Sequence, residues 1–223
     1  MKKKLLIIIS IVLISLILCV VLIPEAYDYI YGYFLFRRIG SNLTVNIKDD
    51  FDKATMVAFW VFENIKQLER YPYLPVVDDN FLNIYRRGFG FCDQSAHVYA
   101  TMMHWLGFET KLLMLRKEDG ISPHTVAVVK VKEKFMIVDT AYKFIFAEIK
   151  DGEKIPIGVD GLEDYPEIFD KYLKVVKDTL APFGQKSKMK LSWFVNGTHF
   201  ETFPYCGKKY LLKKIIDKIR RRR

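Results

Sequence analysis

Three residues in the middle of the chain have the types and spacing to do chemistry. Cys92 stands in Gly90-Phe91-Cys92-Asp93-Gln94-Ser95-Ala96, His124 follows 32 residues later, and Asp139 lies 15 residues beyond that. Cys92 directly precedes a stretch with helical spacing. The open amides and dipole of a helix start favour negative charge, so a thiol held there gains thiolate character and nucleophilicity. Gly88 and Gly90 would let the backbone come close to a substrate. Position alone also fits a small buried cysteine, a frequent role for this residue, so the case turns on the other two.

His124 opens the apolar run Thr125–Val131, and Asp139 closes the next one, Phe135–Val138. Singly, such a histidine is usually a surface residue and such an aspartate a turn former. Their register says more. With Lys132-Glu133 as a hairpin loop and Val131 opposite Lys134, paired numbers sum to 265, so His124 faces Ala141 and Val126 faces Asp139. His124 and Asp139 then project from one side of the sheet as diagonal neighbours. Their backbones are about 7–8 Å apart, a gap that an imidazole–carboxylate hydrogen bond can close. An odd loop would put them on opposite faces.

The elements that must position these groups follow from hydrophobic period. A helix over 52–69, capped by Asp49 or Asp50, would bury Met56, Phe59, Trp60 and Ile65, and Tyr71-Pro72-Tyr73-Leu74-Pro75 would stop it. The stretch 76–91 reads as turns (Asp78-Asp79-Asn80) and spaced glycines. A second helix over 93–106 carries Ala96, Tyr99, Ala100, Met103 and Leu106 at helical spacing, with Gly107 after its end. Short Val- and Ile-rich runs at 110–115, 125–131, 135–138 and 144–149 read as antiparallel strands. A helix over 164–180 and an irregular stretch through Pro204 complete the body. With about 200 residues beyond its N-terminal apolar run, the chain has room for one domain.

That apolar run, Leu5–Ile23, holds 19 uncharged residues. As a helix it would be about 29 Å long, close to the hydrocarbon thickness of a bilayer, with Pro24 ending it. It is longer than the roughly 7–15 residues of a cleaved signal's apolar core. Lys2, Lys3 and Lys4 precede it and only Arg37 and Arg38 follow nearby. The positive-inside rule therefore puts the N-terminus in the cytoplasm and the body across the membrane. Tyr27, Tyr29, Tyr31, Tyr33, Phe34 and Phe36 suit either the headgroup layer or the folded body, and 41–47 reads as a linker or short strand.

The net charge of +9 is unevenly placed: residues 207–223 hold +8, Lys2–Lys4 hold +3, and the body between sums to −2. The body is not a basic nucleic-acid-binding domain, and no nucleic-acid partner is expected. The tail over 208–223 is a basic amphipathic helix suited to anionic lipid. Three cysteines exclude a disulfide scaffold and a four-cysteine metal cluster. Asp93, His97 and His104 lack neighbouring ligands to complete a metal face, and His199, beside Asn196-Gly197-Thr198, reads as turn chemistry. Outside the cytoplasm Cys206 is a conceivable bridge partner for Cys92, which would make both structural.

The pattern Gly90-x-Cys92-x-x-x-Ala96, its helix ending Trp105-Leu106-Gly107, and His124 and Asp139-Thr140 at strand ends resemble the transglutaminase-like superfamily over roughly residues 55–147. These are papain-related cysteine enzymes with a Cys, His, Asp triad. The chain departs from that pattern at Thr125-Val126-Ala127, where an aromatic is frequent, at Phe135 in place of a tryptophan, and at Glu109-Thr110-Lys111. The resemblance implies an α+β, papain/transglutaminase-like core with the cysteine's helix packed on an antiparallel sheet, behind one N-terminal transmembrane helix. Its expected division is an anchor (1–24), a juxtamembrane segment (25–47), the catalytic domain (48–205) and the basic tail (206–223).

The implied chemistry is acyl transfer or hydrolysis at peptide or protein amides through a Cys92 thioester. His124 would be the base and Asp139 would orient it. The Cys92 amide and an upstream side chain, Trp60 or Gln67, would hold the oxyanion. No metal or organic cofactor is called for. The rival reading is a catalytically silent, membrane-tethered domain of the same fold that binds a peptide, glycan or cell-envelope partner.

Overall fold

A computed structural model describes residues 2–67, 80–183 and 189–201, with side chains at 9–16, 26–67, 80–183 and 189–198. The proline-rich stop at 71–75, the Asp78-Asp79 turn, Cys206 and the basic tail lie outside the described residues. Of the apolar run 5–23, the side chains outside 9–16 are likewise not described. Among the described residues no helix is long and apolar enough to cross a membrane.

Helix α1 spans Lys2–Thr44. Pro24 does not end it, and 41–44 is helical rather than linker or strand. A proline removes one backbone hydrogen bond, while tertiary packing holds the turns beyond it. Tyr29, Tyr33 and Phe36 recur on one face and place their rings 5.9, 5.6 and 6.0 Å from that of Trp105. The opposite face leaves Tyr27 (61%), Tyr31 (43%) and Phe34 (65%) exposed. The juxtamembrane aromatics thus divide by helix face.

Helix α2 (Asp50–Asn64) starts where Asp49 Oδ1 accepts the Asp52 amide at 3.1 Å. It buries Phe51, Ala54, Val57, Ala58 and Val61, while Met56 is exposed. Ile65 is buried as expected, while the rest of the buried stripe falls one residue off and includes the small Ala54 and Ala58; the Tyr99 hydroxyl donates to Ala54 O at 3.3 Å. The chain then turns extended at Ile65 and forms β1 (Lys66–Gln67), so Gln67 sits on a strand and not on a helix to 69. Between the expected turns lies α3 (Phe81–Arg87), capped by Asn80, whose side chain accepts the Leu82 amide at 2.9 Å. Gly88, at φ +72, closes α3 in the left-handed region that glycine enters without strain. Strand β2 (Phe89–Gly90) pairs parallel with β1 and leads into α4 (Cys92–Trp105).

The main sheet is antiparallel, in the order β6-β5-β4-β3-β9. Its strands are β3 (Thr110–Leu115), β4 (His124–Val131), β5 (Lys134–Asp139), β6 (Phe144–Ile145) and β9 (Thr198–Glu201). β4 and β5 pair from Val131↔Lys134 to Ala127↔Val138, the register expected from the even loop. Lys132 (φ 50) and Glu133 (φ 66) both take the left-handed conformation of a type I′ turn, which matches the twist of a hairpin. The expected strand 144–149 is divided: after β6, β7 (Ala147–Lys150) leaves to pair with β8 (Glu153–Pro156). The irregular stretch before Pro204 contains α6 (Leu191–Val195) and edge strand β9, so His199 pairs with Leu113 in a sheet and not in a turn.

Strand alternation sends Ala127, Val129, Val131, Met136 and Val138 into one core with α1–α4, and Val126, Val128 and Ile137 into another. The second is closed by α5 (Pro166–Leu180) through Ile168, Phe169, Tyr172, Val176 and Leu180, with Trp193 and Phe194 of α6. Both faces of an α+β sheet are therefore buried.

One core residue makes this fold acid-sensitive. His97, in the middle of α4, is 3% exposed, and burial drives its imidazole down to about 3. Between pH 6.5 and 3 the unfolded chain takes up a proton that the native state refuses. Stability therefore falls with pH, by about 1.4 kcal/mol per unit from this residue alone. Thermal unfolding of His97→Leu from pH 7 to 4 should show a shallower acid slope than the unsubstituted protein; equal slopes would mean the imidazole is charged in the folded state.

Candidate active site

Cys92 is a free thiol, half-buried, on the first residue of α4. Its helix starts without the usual polar cap: the N-cap residue is Phe91, which offers no side-chain acceptor. Instead the Gln94 side chain reaches back, its Oε1 accepting the Phe91 amide at 3.1 Å and the Arg87 guanidinium at 2.6 Å. Arg87 also donates to Phe89 O at 2.7 Å, which fixes the loop into the helix. A Cβ on Gly90 would lie 2.8 Å from Gln94 Oε1. That glycine makes room for the Gln94 staple, and Gly88 ends α3.

His124 and Asp139 are both buried and meet directly, Nε2 to Oδ2, at 2.7 Å. The even hairpin loop is what puts them on one face. Asp139 has no unused lone pair on either oxygen. Oδ2 also accepts the Tyr172 hydroxyl at 2.9 Å, while Oδ1 accepts the backbone amides of Ala141 at 2.9 Å and Tyr142 at 3.2 Å. The Tyr142 ring lies 5.3 Å from the imidazole and limits its rotation. With Nε2 occupied by the carboxylate, Nδ1 is the nitrogen left to serve Cys92, which lines the same cleft as His124.

The electrostatics oppose one another. Burial pulls His124 toward the neutral form, but the Asp139 charge and the Cys92 sulfur, with their hydrogen bonds, outweigh it. The imidazole ends well above its usual 6.5. Tyr172 is pushed well above 10 by burial and by the Asp139 charge, so it stays a donor.

A second small network ties the elements together. Ser95 Oγ donates to Cys92 O at 3.1 Å and accepts from Gln67 Nε2 and Thr140 Oγ1, each at 3.1 Å. One hydroxyl thus joins β1, the first turn of α4 and the end of β5. Gln67 is 4% exposed, and its Oε1 has no hydrogen-bond partner. Trp60 stacks on Tyr85 at 5.7 Å. Neither lines the cleft of about 410 Å³ that Phe91, Cys92, Asp93, Leu112, Met114 and His124 help to form. Among the described residues no group of three acidic, histidine or cysteine side chains could hold a metal.

Sequence reasoning missed Tyr172, Ser95 and Arg87. The Tyr172 position showed only as one of the apolar residues repeating along α5. Ser95 and Arg87 flank the Cys92 motif, and only knowing the helix start at Cys92 would have directed attention to them.

No curated protein matches the chain. Solved structures resemble it only distantly. They include a cysteine-protease candidate from Cytophaga hutchinsonii (12% identity, TM-score 0.42, 56% of this chain and 42% of that one). A protease candidate from Parabacteroides distasonis ATCC 8503 matches at 12% identity and TM-score 0.36, over 47% of this chain and 23% of that one. A TGase matches at 16% identity and TM-score 0.41, over 50% of this chain and 32% of that one. The chain thus spans less than half of each. The family model described as transglutaminase-like superfamily matches residues 37–140. That stretch runs from the end of α1 to Thr140 and contains Cys92, His124 and Asp139, and over it the chain is similar to the transglutaminase-like superfamily.

Proposed function

We propose that this chain is a membrane-anchored thiol enzyme that transfers or hydrolyses the acyl group of peptide or protein amides, with Cys92, His124 and Asp139 as its catalytic residues. The observation that carries the proposal is the 2.7 Å contact between buried His124 and Asp139, on an imidazole that lines the same cleft as Cys92.

His124 Nδ1 takes the thiol proton, and the sulfur attacks the amide carbonyl. A C–S bond forms and the carbonyl π pair moves to oxygen. The oxyanion lies against the Cys92 backbone N–H, in the uncapped first turn of α4. Gln67 suits the second donor better than Trp60: its Nε2 keeps a second hydrogen beyond the one given to Ser95. When the intermediate collapses, the C–N bond breaks and the imidazolium protonates the departing amine. Water or an amine then attacks the thioester and releases Cys92. Asp139 stays ionised throughout and keeps Nε2–H as the tautomer.

Ile11, Val12, Leu13, Ile14 and Leu16 of α1 are more than half exposed, an apolar surface that water does not favour. This supports an anchor through residues 5–23 with the body on the extracytoplasmic side. The full chain should stay in the membrane fraction after alkaline carbonate washing; release into the wash would refute the anchor.

For the chemistry, Cys92 in the detergent-solubilised full chain should react with iodoacetamide at pH 6–7 about tenfold or more faster than a free thiol, and His124→Ala should remove the advantage. Ordinary labelling indifferent to His124 would favour the silent-domain reading. Because the His124 pKa is raised, the imidazolium is kept at and above pH 6.5 and lost as pH rises through the folded value. The alkaline limb of the rate profile should therefore lie well above 6.5 and move down in Asp139→Asn. Tyr172→Phe should move it the other way, since a carboxylate with one donor fewer holds the imidazolium more tightly, while costing about 1–3 kcal/mol of stability. An unmoved limb in Tyr172→Phe would remove Tyr172 from the positioning of Asp139.

A further inference from the structure

We infer that the cleft beside Cys92 is a subsite for an apolar side chain next to the amide under attack, built on Leu112 and Met114, and that it rejects acidic side chains. The inference rests on the proposed thiol chemistry and goes further by naming what the substrate must carry.

The wall follows from the pleat of β3. Leu113 and Leu115 point into the core beneath α5 and α6 and are fully buried. Leu112 and Met114, one residue out of step, take the opposite face and remain half-buried at the cleft. Their neighbours on β4 are Ala127 and Thr125, which pair with Leu112 and Met114 respectively. Two small residues beside two long flexible ones leave a depression instead of a filled face, and methionine adapts to irregular apolar shapes.

Recognition there has to come from side chains. β3 is hydrogen-bonded to β4 on one edge and to β9 on the other, so it offers no free edge to an added strand. At about 410 Å³ the cleft is near the small end of ligand sites, roughly 300–1,000 Å³. It takes one or two residues of a chain. Among its lining residues Asp93 is the only acid and the His124 imidazolium is already paired with Asp139, so no lysine or arginine is there to receive a substrate carboxylate. Placing an acidic side chain there would desolvate it and set it near a like charge.

Two chloromethyl ketones test this, an N-acyl-leucyl and an N-acyl-glutamyl one, against the full chain in detergent. In each, the Cys92 thiolate attacks the methylene carbon, a C–S bond forms, the C–Cl bond breaks and chloride leaves with the electron pair. The mass of the Cys92 peptide reports the rate. The leucyl reagent should react roughly tenfold or more faster than the glutamyl one, the discrimination an apolar pocket typically provides. Met114→Gln, which removes the apolar wall without adding a charge, should reduce that ratio. Met114→Lys should raise the glutamyl rate above that of the unsubstituted protein, a gain that a misfolded variant would not give. Equal rates for the two reagents, alongside fast His124-dependent iodoacetamide labelling, would overturn the subsite and leave the thiol chemistry standing. Slow labelling indifferent to His124 would overturn both.

Discussion

The Asp139 carboxylate receives four hydrogen bonds, from His124 Nε2, the Tyr172 hydroxyl and the amides of Ala141 and Tyr142. A charge so deeply buried is costly unless every lone pair is satisfied, and here donors come from the strand end, the turn after it and a helix 33 residues away. With the carboxylate fixed, the imidazole is fixed as well. Its far nitrogen is then the one left to face the cleft that His124 and Cys92 both line. The same pairing reverses the effect of burial on His124. Without its neighbours this histidine would be neutral for the reason that His97 is neutral.

Holding that one pair constrains a large part of the fold. The hairpin turn keeps two non-glycine residues at positive φ, Lys132 and Glu133, so that the parity of β4 against β5 is preserved. α5 lays Tyr172 across the same face amid Phe144, Phe146, Phe169 and Phe194, whose rings stand 5.0–5.9 Å from it. This aromatic cluster excludes water from the carboxylate's side of the sheet and strengthens the polar contacts it encloses. On the other face Ser95 bonds to Gln67, Thr140 and the Cys92 carbonyl, so Cys92 and the end of β5 share one hydroxyl.

The pairing of His124 with Asp139 was legible in the sequence because a strand has period two and an even loop leaves only one arrangement. The start of α4 and the Gly107 stop were legible for a similar reason, as several helical turns repeat one signal. Short elements gave no such repetition. α3, β1 and β9 span seven, two and four residues, too few for a period to show, and each exists because a neighbour pairs or packs with it. Trp60 and Gln67 were indistinguishable as oxyanion candidates while both stood on one expected helix. The structure separates them by ending α2 at Asn64, sending Gln67 alongside Gly90 and Trp60 onto Tyr85. Tyr172 was hidden by its own hydrophobicity: it fits the apolar stripe of α5, and only the third dimension shows where its hydroxyl ends.

Phe91 breaks a local rule at the position where the rule is most useful. Serine, threonine, asparagine or aspartate at an N-cap typically adds about 1 kcal/mol by accepting a first-turn amide, and phenylalanine forgoes it. The structure recovers part of that loss through Gln94 and Arg87, which hold the Phe91 amide and the preceding carbonyl, not the amides beyond. A capping side chain would have satisfied them with its own oxygen and placed a competing acceptor beside the sulfur. With Phe91 as N-cap, no cap oxygen stands beside Cys92, and the helix dipole there favours negative charge on the sulfur.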